Sequence, residues 1–274
     1  MGKEMNLKTQ AVERFGEVIV GDVRSVSIQQ CHLPLMPHRM TRSAVRWRAA
    51  ASSEEGITPA KLVIPETVDV TIFEMLRHTD DQEMLHLLFR TSRGELVDLL
   101  VEGGGELGGW YIGTGEWRPR YSKERFIDDF ADVPSEWGVH DGEDVPALNL
   151  DELSVRGRAI EELGILLVRH VRDVAIQSCD LQLLPHSETA MAKRWRKAAL
   201  PFNGKVPPEI LIPDCVDETI FTFLRAIDQG LLPLSFTAEN GETIDLTKVG
   251  NLAERYIKPG GWRDQFSNER VNQD

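Results

Sequence analysis

Apolar residues recur at steps of three and four at Val12, Phe15, Ile19, Val23 and Val26, and again at Ile160, Leu163, Leu167, Val171 and Val174. Each series marks one face of a helix with 3.6 residues per turn. A second helix is predicted around Ala44-Val45-Arg46-Trp47-Arg48, with a counterpart at Lys193-Arg194-Trp195-Arg196. Pro37 and Pro185 separate these from the first helices, because proline stops a helix from running through. A third helix is predicted to begin near Pro65 or Pro213, since proline suits a first helical turn. It would bury Val68, Ile72, Phe73 and Leu76, or Val216, Ile220, Phe221 and Leu224.

The period then changes to two. Leu232, Leu234 and Phe236 alternate, Asn240-Gly241 supplies a hairpin turn, and Ile244 and Leu246 alternate again. Pro233 cannot donate to a ladder, which predicts an edge strand. Arg93-Gly94 occupies the turn of the matching hairpin. A short third strand is expected at Tyr111-Ile112 and at Tyr256-Ile257. Ser122 and Ser267 are expected to cap a last short helix.

These elements come in pairs because the sequence does. VRSVSIQQCHLPLMPHRMTRSAVRWRAA, from residue 23, matches VRDVAIQSCDLQLLPHSETAMAKRWRKA, from residue 171. Cys31 aligns with Cys179, His38 with His186 and Trp47 with Trp195. Ile64-Pro65-Glu66-Thr67-Val68-Asp69 faces Ile212-Pro213-Asp214-Cys215-Val216-Asp217 at the same spacing. Later matches slip by a few residues in loops, where length changes are tolerated. A match this long predicts a duplicated domain rather than a solenoid unit. The expected division is a first domain at 1–131, an acidic linker at 132–154 and a second domain at 155–274. In the linker, Trp137 and Val139 are expected to lie over one copy. The expected fold is α+β: a tandem duplication of a mainly helical domain with a small antiparallel hairpin or sheet. A lone hairpin is marginal, so it must pack on the helices or join strands of the other copy. The copies are expected to pack as a pseudo-dimer.

Composition narrows the functional classes. The 274 residues are 41% hydrophobic and 27% charged, with a formal net charge of −13. That balance suits an ordinary globular protein. No apolar run approaches the roughly 18 residues needed to span a bilayer, and the first residues are polar, so a cytoplasmic location and no membrane partner are expected. The acidic charge disfavours nucleic acid, which needs a basic field, and favours a basic protein partner. Three cysteines without a CxxC pair argue against a disulfide framework, and Cys31, Cys179 and Cys215 read as buried small hydrophobes.

Two constellations occur twice. Arg46-Trp47-Arg48 and Arg194-Trp195-Arg196 place an indole between guanidinium groups, but successive helical residues point about 100° apart and do not share a face. The second motif holds Tyr111, Trp117, Arg118, Glu124 and Arg125, and again Tyr256, Trp262, Arg263, Glu269 and Arg270. Trp, Tyr and Arg are the residue types enriched at binding hot spots, so these residues are the candidate binding set. The competing reading makes each Trp a core residue whose Arg neighbours pair locally. Cys31, His32 and His38 fall short of a zinc set. The glycine-rich EGGGELGG at 102–109 lacks a phosphate-loop frame and reads as a turn. Glu95 and Asp98 fall on opposite strand faces. No nucleophile motif appears, so catalytic residues are not assigned and no metal or cofactor is expected.

The leading expectation is a protein-binding module that sequesters or neutralises a partner, in its sharpest form a bacterial toxin-immunity protein. The alternative is an enzyme or small-ligand protein with a site between the copies, using Arg46, Trp47, Arg118 and Glu124 and their counterparts Arg194, Trp195, Arg263 and Glu269.

Overall fold

The computed structural model describes residues 7–53, 57–80, 85–113, 117–127, 139–140, 149–239 and 241–269. Helix α1 (Leu7–Val18) passes through a π-helical turn, Ile19–Arg24, into α2 (Ser25–His32). The backbone N–H and the hydroxyl of Ser25 both reach back five residues to the Val20 carbonyl. Helix α3 (Arg42–Ser53) and the long α4 (Ala60–Asp80) follow. Next come β1 (His86–Arg90), β2 (Leu96–Asp98) and short helices α5 (Leu99–Gly103), α6 (Leu107–Ile112) and α7 (Trp117–Tyr121). A two-stranded ladder joins β3 (Phe126–Ile127) to β4 (Val139–His140).

The later elements are α8 (Val155–Leu167), a second π turn at Val168–Arg172, α9 (Asp173–Leu183) and α10 (Ala190–Ala199). They continue with α11 (Pro208–Asp228), β5 (Leu234–Thr237), β6 (Thr243–Asp245), α12 (Leu252–Ile257) and α13 (Trp262–Phe266). The fold is therefore mixed helix and sheet, mainly helical, with a four-stranded antiparallel sheet in the order β2-β1-β5-β6. The two hairpins meet in the middle, where Leu87 faces Phe236 and Phe89 faces Leu234. Helices α4 and α11 pack on each other behind them. Both are buried on almost every side, as a helix at the centre of a core must be.

The structure corrects several expectations. The even apolar steps of the first helix break at the π turns. A π turn inserts one residue and rotates everything beyond it by about 100°. Val174 is therefore exposed, while Arg24 and Arg172 point inward and are fully buried. The third helices start before Pro65 and Pro213, which lie inside α4 and α11. Proline there has no N–H for the carbonyl four residues back. For Pro65 that carbonyl belongs to Lys61, and Arg125 Nε supplies the missing bond at 3.0 Å.

The strand after Pro233 is central, not an edge: β5 pairs with both β1 and β6. It begins one residue after the proline, whose carbonyl accepts from Arg90 N–H at 3.0 Å. Tyr111-Ile112 and Tyr256-Ile257 end helices α6 and α12 rather than forming strands. Ser122 and Ser267 follow α7 and α13, and each hydroxyl donates to the carbonyl two residues on instead of capping a helix start. In the glycine run only Gly104 and Gly105 form a turn with positive φ, and the flanking glycines are helical. Gly94 and Gly241 do take the positive φ expected of the hairpin turns, while Asn240 lies outside the described residues. In the acidic segment Val139 pairs with Ile127, and Trp137 lies outside the described residues. All three cysteines are free and buried.

Candidate functional site

The buried face of α4 carries a carboxylate, Asp69, three residues before Ile72 on the same face. Burial alone would raise its pKa, but the adjacent charges of Arg172 and Arg118 outweigh that and hold it below the usual carboxylate range. Arg172 Nε donates to Oδ1 at 2.6 Å and its Nη2 to Oδ2 at 3.1 Å, a two-pronged pairing. Arg118 Nη1 donates to Oδ2 at 3.1 Å and the Tyr111 hydroxyl to Oδ1 at 2.7 Å. Burial beside this carboxylate pushes the Tyr111 phenol well above its ordinary value. Arg172 also donates to the Ser122 hydroxyl at 2.8 Å.

A matching set surrounds Asp217 on α11. Arg24 Nε donates at 2.5 Å, Tyr256 at 2.6 Å and Arg263 at 3.2 Å, while Arg24 Nη1 reaches the Ser267 hydroxyl at 2.7 Å. In both sets the central arginine comes from the distant segment: Arg172 serves Asp69, and Arg24 serves Asp217. The tryptophans cross over in the same way. A side chain on Gly164 would overlap the Trp117 indole, and one on Gly16 would overlap Trp262. Trp262 Nε1 donates to Glu13 at 3.0 Å.

Most of the sequence-derived candidates thus lie inside the molecule. Tyr111, Trp117, Arg118, Tyr256 and Trp262 are buried, with Arg263 partly so. Glu124 accepts from Gln177, Glu269 accepts from Gln29, and Arg125 holds Asp180 at 2.5 Å. Arg270 lies outside the described residues. In the Arg-Trp-Arg triplets, Arg46 Nη1 donates to Glu66 at 2.7 Å and Trp47 Nε1 donates to the other oxygen of that carboxylate. Arg194 and Trp195 hold Asp214 likewise, at 2.8 and 2.5 Å. The third arginines point elsewhere, Arg48 to the Arg39 carbonyl and Arg196 to the Ser187 carbonyl.

The two motifs of the first half meet at a cavity of about 260 Å³. Trp47, Phe73, Ile112 and Pro34 form its apolar walls, Glu66, Asp69 and Arg118 its ionic floor, and Gln30, Thr41 and Ser43 add neutral polar groups. Cys31 also lines it, and burial pushes that thiol far above its usual pKa, so it faces the cavity as a neutral group. A second cavity of about 290 Å³, which Trp47 and Pro34 also line, opens between Arg48 and the segment Phe202 to Glu209. Among the described residues no three His, Cys, Asp or Glu side chains converge in a way that would hold a metal ion, and no helix is long and apolar enough to cross a membrane.

No protein-family model, curated protein or solved structure matches the chain. The site therefore rests on its own geometry. Sequence reading passed over Glu66, Asp69 and Arg172 together with their counterparts Asp214, Asp217 and Arg24. The signal was present: each is a charge set among apolar residues of a helix, and each recurs at the same spacing.

Proposed function

We propose that the chain is a tandem duplication whose halves pack as an internal pseudo-dimer, and that it is a small-ligand-binding protein. The duplication is supported by reciprocity. Arg172 pairs with Asp69 as Arg24 pairs with Asp217, and Trp117 seats on Gly164 as Trp262 seats on Gly16. Exchange of equivalent groups about a two-fold axis is how identical surfaces satisfy each other.

The observation that carries the ligand-binding reading is the cavity between α2, α3, α4 and α6. It combines aromatic walls with a few convergent polar groups on rigid helices, the usual make-up of a small-molecule site. Its two carboxylates are held in place by arginines, so its polar groups are preorganised. The test is a thermal-shift screen of a metabolite panel on the full chain. At least one compound should raise the melting temperature in proportion to the logarithm of its concentration, and Phe73→Ala should abolish the shift. A flat panel would count against the reading.

A second reading keeps the partner-neutralising role, in the manner of a toxin-immunity protein. The net charge of −13 favours it, because an acidic surface steers and holds a basic partner. The contact surface would then be made by exposed acidic positions rather than by the buried tryptophans and tyrosines. Affinity capture at low salt should return one basic partner in stoichiometric amount. Recovery of none would remove this reading.

A further inference from the structure

The first-half cavity has a counterpart region in the second half, and five of its lining positions differ there; two of these, Gln30 and Glu66, become the shorter Ser178 and Asp214. Pro34, Ser43 and Val70 line the first. Gln182, Met191 and Glu218 stand at the same aligned positions of the second. The Thr189 hydroxyl donates to the Gln182 side chain, a bridge that Pro34 cannot make with Thr41. Met191 packs on the core where Ser43 leaves room. Glu218 hydrogen-bonds Ser178 and is buried enough that its carboxyl rises above the ordinary range. Three of the five substitutions thus add bulk or a cross-link over the second region, and the two shorter side chains are taken up, Ser178 by Glu218 and Asp214 by Arg194 and Trp195.

The charges on the first cavity's floor are already matched. Glu66 faces Arg46 at 2.7 Å, and Asp69 faces Arg172 at 2.6 Å and Arg118 at 3.1 Å. An ionic ligand would give up its hydration and meet no unpaired counter-charge, which is unfavourable in a partly closed site. A neutral ring would pack against Phe73 and Ile112 beside the buried Trp47 and use the hydroxyl and amide groups of Ser43, Thr41 and Gln30. The volume fits one or two rings.

We infer that only the first half holds a ligand, that this ligand is a compact, uncharged aromatic molecule with hydrogen-bonding groups, and that the second half is a closed copy that supplies Arg172 to brace Asp69. The inference rests on the small-ligand reading above.

Saturation-transfer NMR on the full chain with benzamide, benzoate and benzylamine at equal concentration tests it. Benzamide should give the strongest transfer, at least fivefold above either ion. Ser43→Met and Val70→Glu, which copy Met191 and Glu218 into half-buried lining positions, should each weaken benzamide binding at least tenfold while far-ultraviolet circular dichroism stays unchanged. A preference for benzoate or benzylamine overturns the ligand class and leaves the small-ligand reading standing. Benzamide binding that survives in both folded variants overturns the site. No transfer from any ring, alongside a metabolite that shifts melting, overturns the class alone. No response in either experiment overturns both readings.

Discussion

Asp69 is the centre of the first buried ionic cluster. It accepts four hydrogen bonds from three side chains and is 5% exposed. Removing one partner of a buried pair leaves the other charged and unmatched, at a cost of about 3–5 kcal/mol. Asp69→Ala should therefore lower the urea-unfolding free energy by about that amount, with Arg172→Ala close behind. The pH dependence follows from the direction of the Asp69 shift. Its folded pKa is depressed, so its stabilising contribution is complete above the unfolded value of about 3.9 and is lost as pH falls below it toward the folded value. Urea unfolding measured from pH 7 to pH 2 should show stability falling below about pH 4, and Asp69→Asn should flatten that part of the curve. Gly16 and Gly164 matter for a different reason. Each leaves room for an indole from the other half. Gly16→Ala and Gly164→Ala should each cost about 1–3 kcal/mol through overpacking, and each should change tryptophan fluorescence.

At the level of elements, the π turns decide which residues face inward. Without the extra residue at Ile19–Arg24, the side chain of Arg24 would rotate away from Asp217. Deleting Gly21 would restore an α-helical count and should cost about as much as losing the ion pair, about 3–5 kcal/mol in urea unfolding. Arg24→Met, which removes the charge but keeps the turn, gives the comparison. Helix α4 depends on a similar repair, since the Lys61 carbonyl freed by Pro65 is taken by Arg125. The same guanidinium holds Asp180 on α9, so one side chain closes a helix defect and joins two elements.

The whole molecule is bound together by contacts that run between its sequence-distant parts. The central sheet pairing is β1 with β5, α4 packs on α11, and both buried arginines cross over. Each of the Asp69 and Asp217 clusters is completed by an arginine from the other half, Arg172 and Arg24. Unfolding should therefore be a single transition, with far-ultraviolet circular dichroism and tryptophan fluorescence coincident across urea. Two separated transitions would show that the halves unfold independently, a common behaviour for chains of this length.

Much of this was legible in the residues taken in order. The helix and hairpin periods, the glycine turns, the buried cysteines and the spacing at which segments recur are local properties, set by backbone sterics and by which side chains avoid water. The edge-strand reading of Pro233 failed because it is a local rule, and the proline stands one residue outside a strand that the rest of the chain makes central. The reading of Trp117, Tyr111, Arg118 and their counterparts as binding candidates drew on residue type alone. The same types serve a hot spot or a core, and only their partners distinguish the two. Those partners lie far along the chain: Asp69 meets Arg172, and Trp262 meets Gly16. A phase shift at a π turn put the arginines inside, and no periodicity count detects a single inserted residue that leaves the helix continuous. The sequence by itself determined the elements and their recurrence. The tertiary structure decided which charges are buried and where a cavity remains, because burial depends on what the rest of the chain brings to cover each side chain.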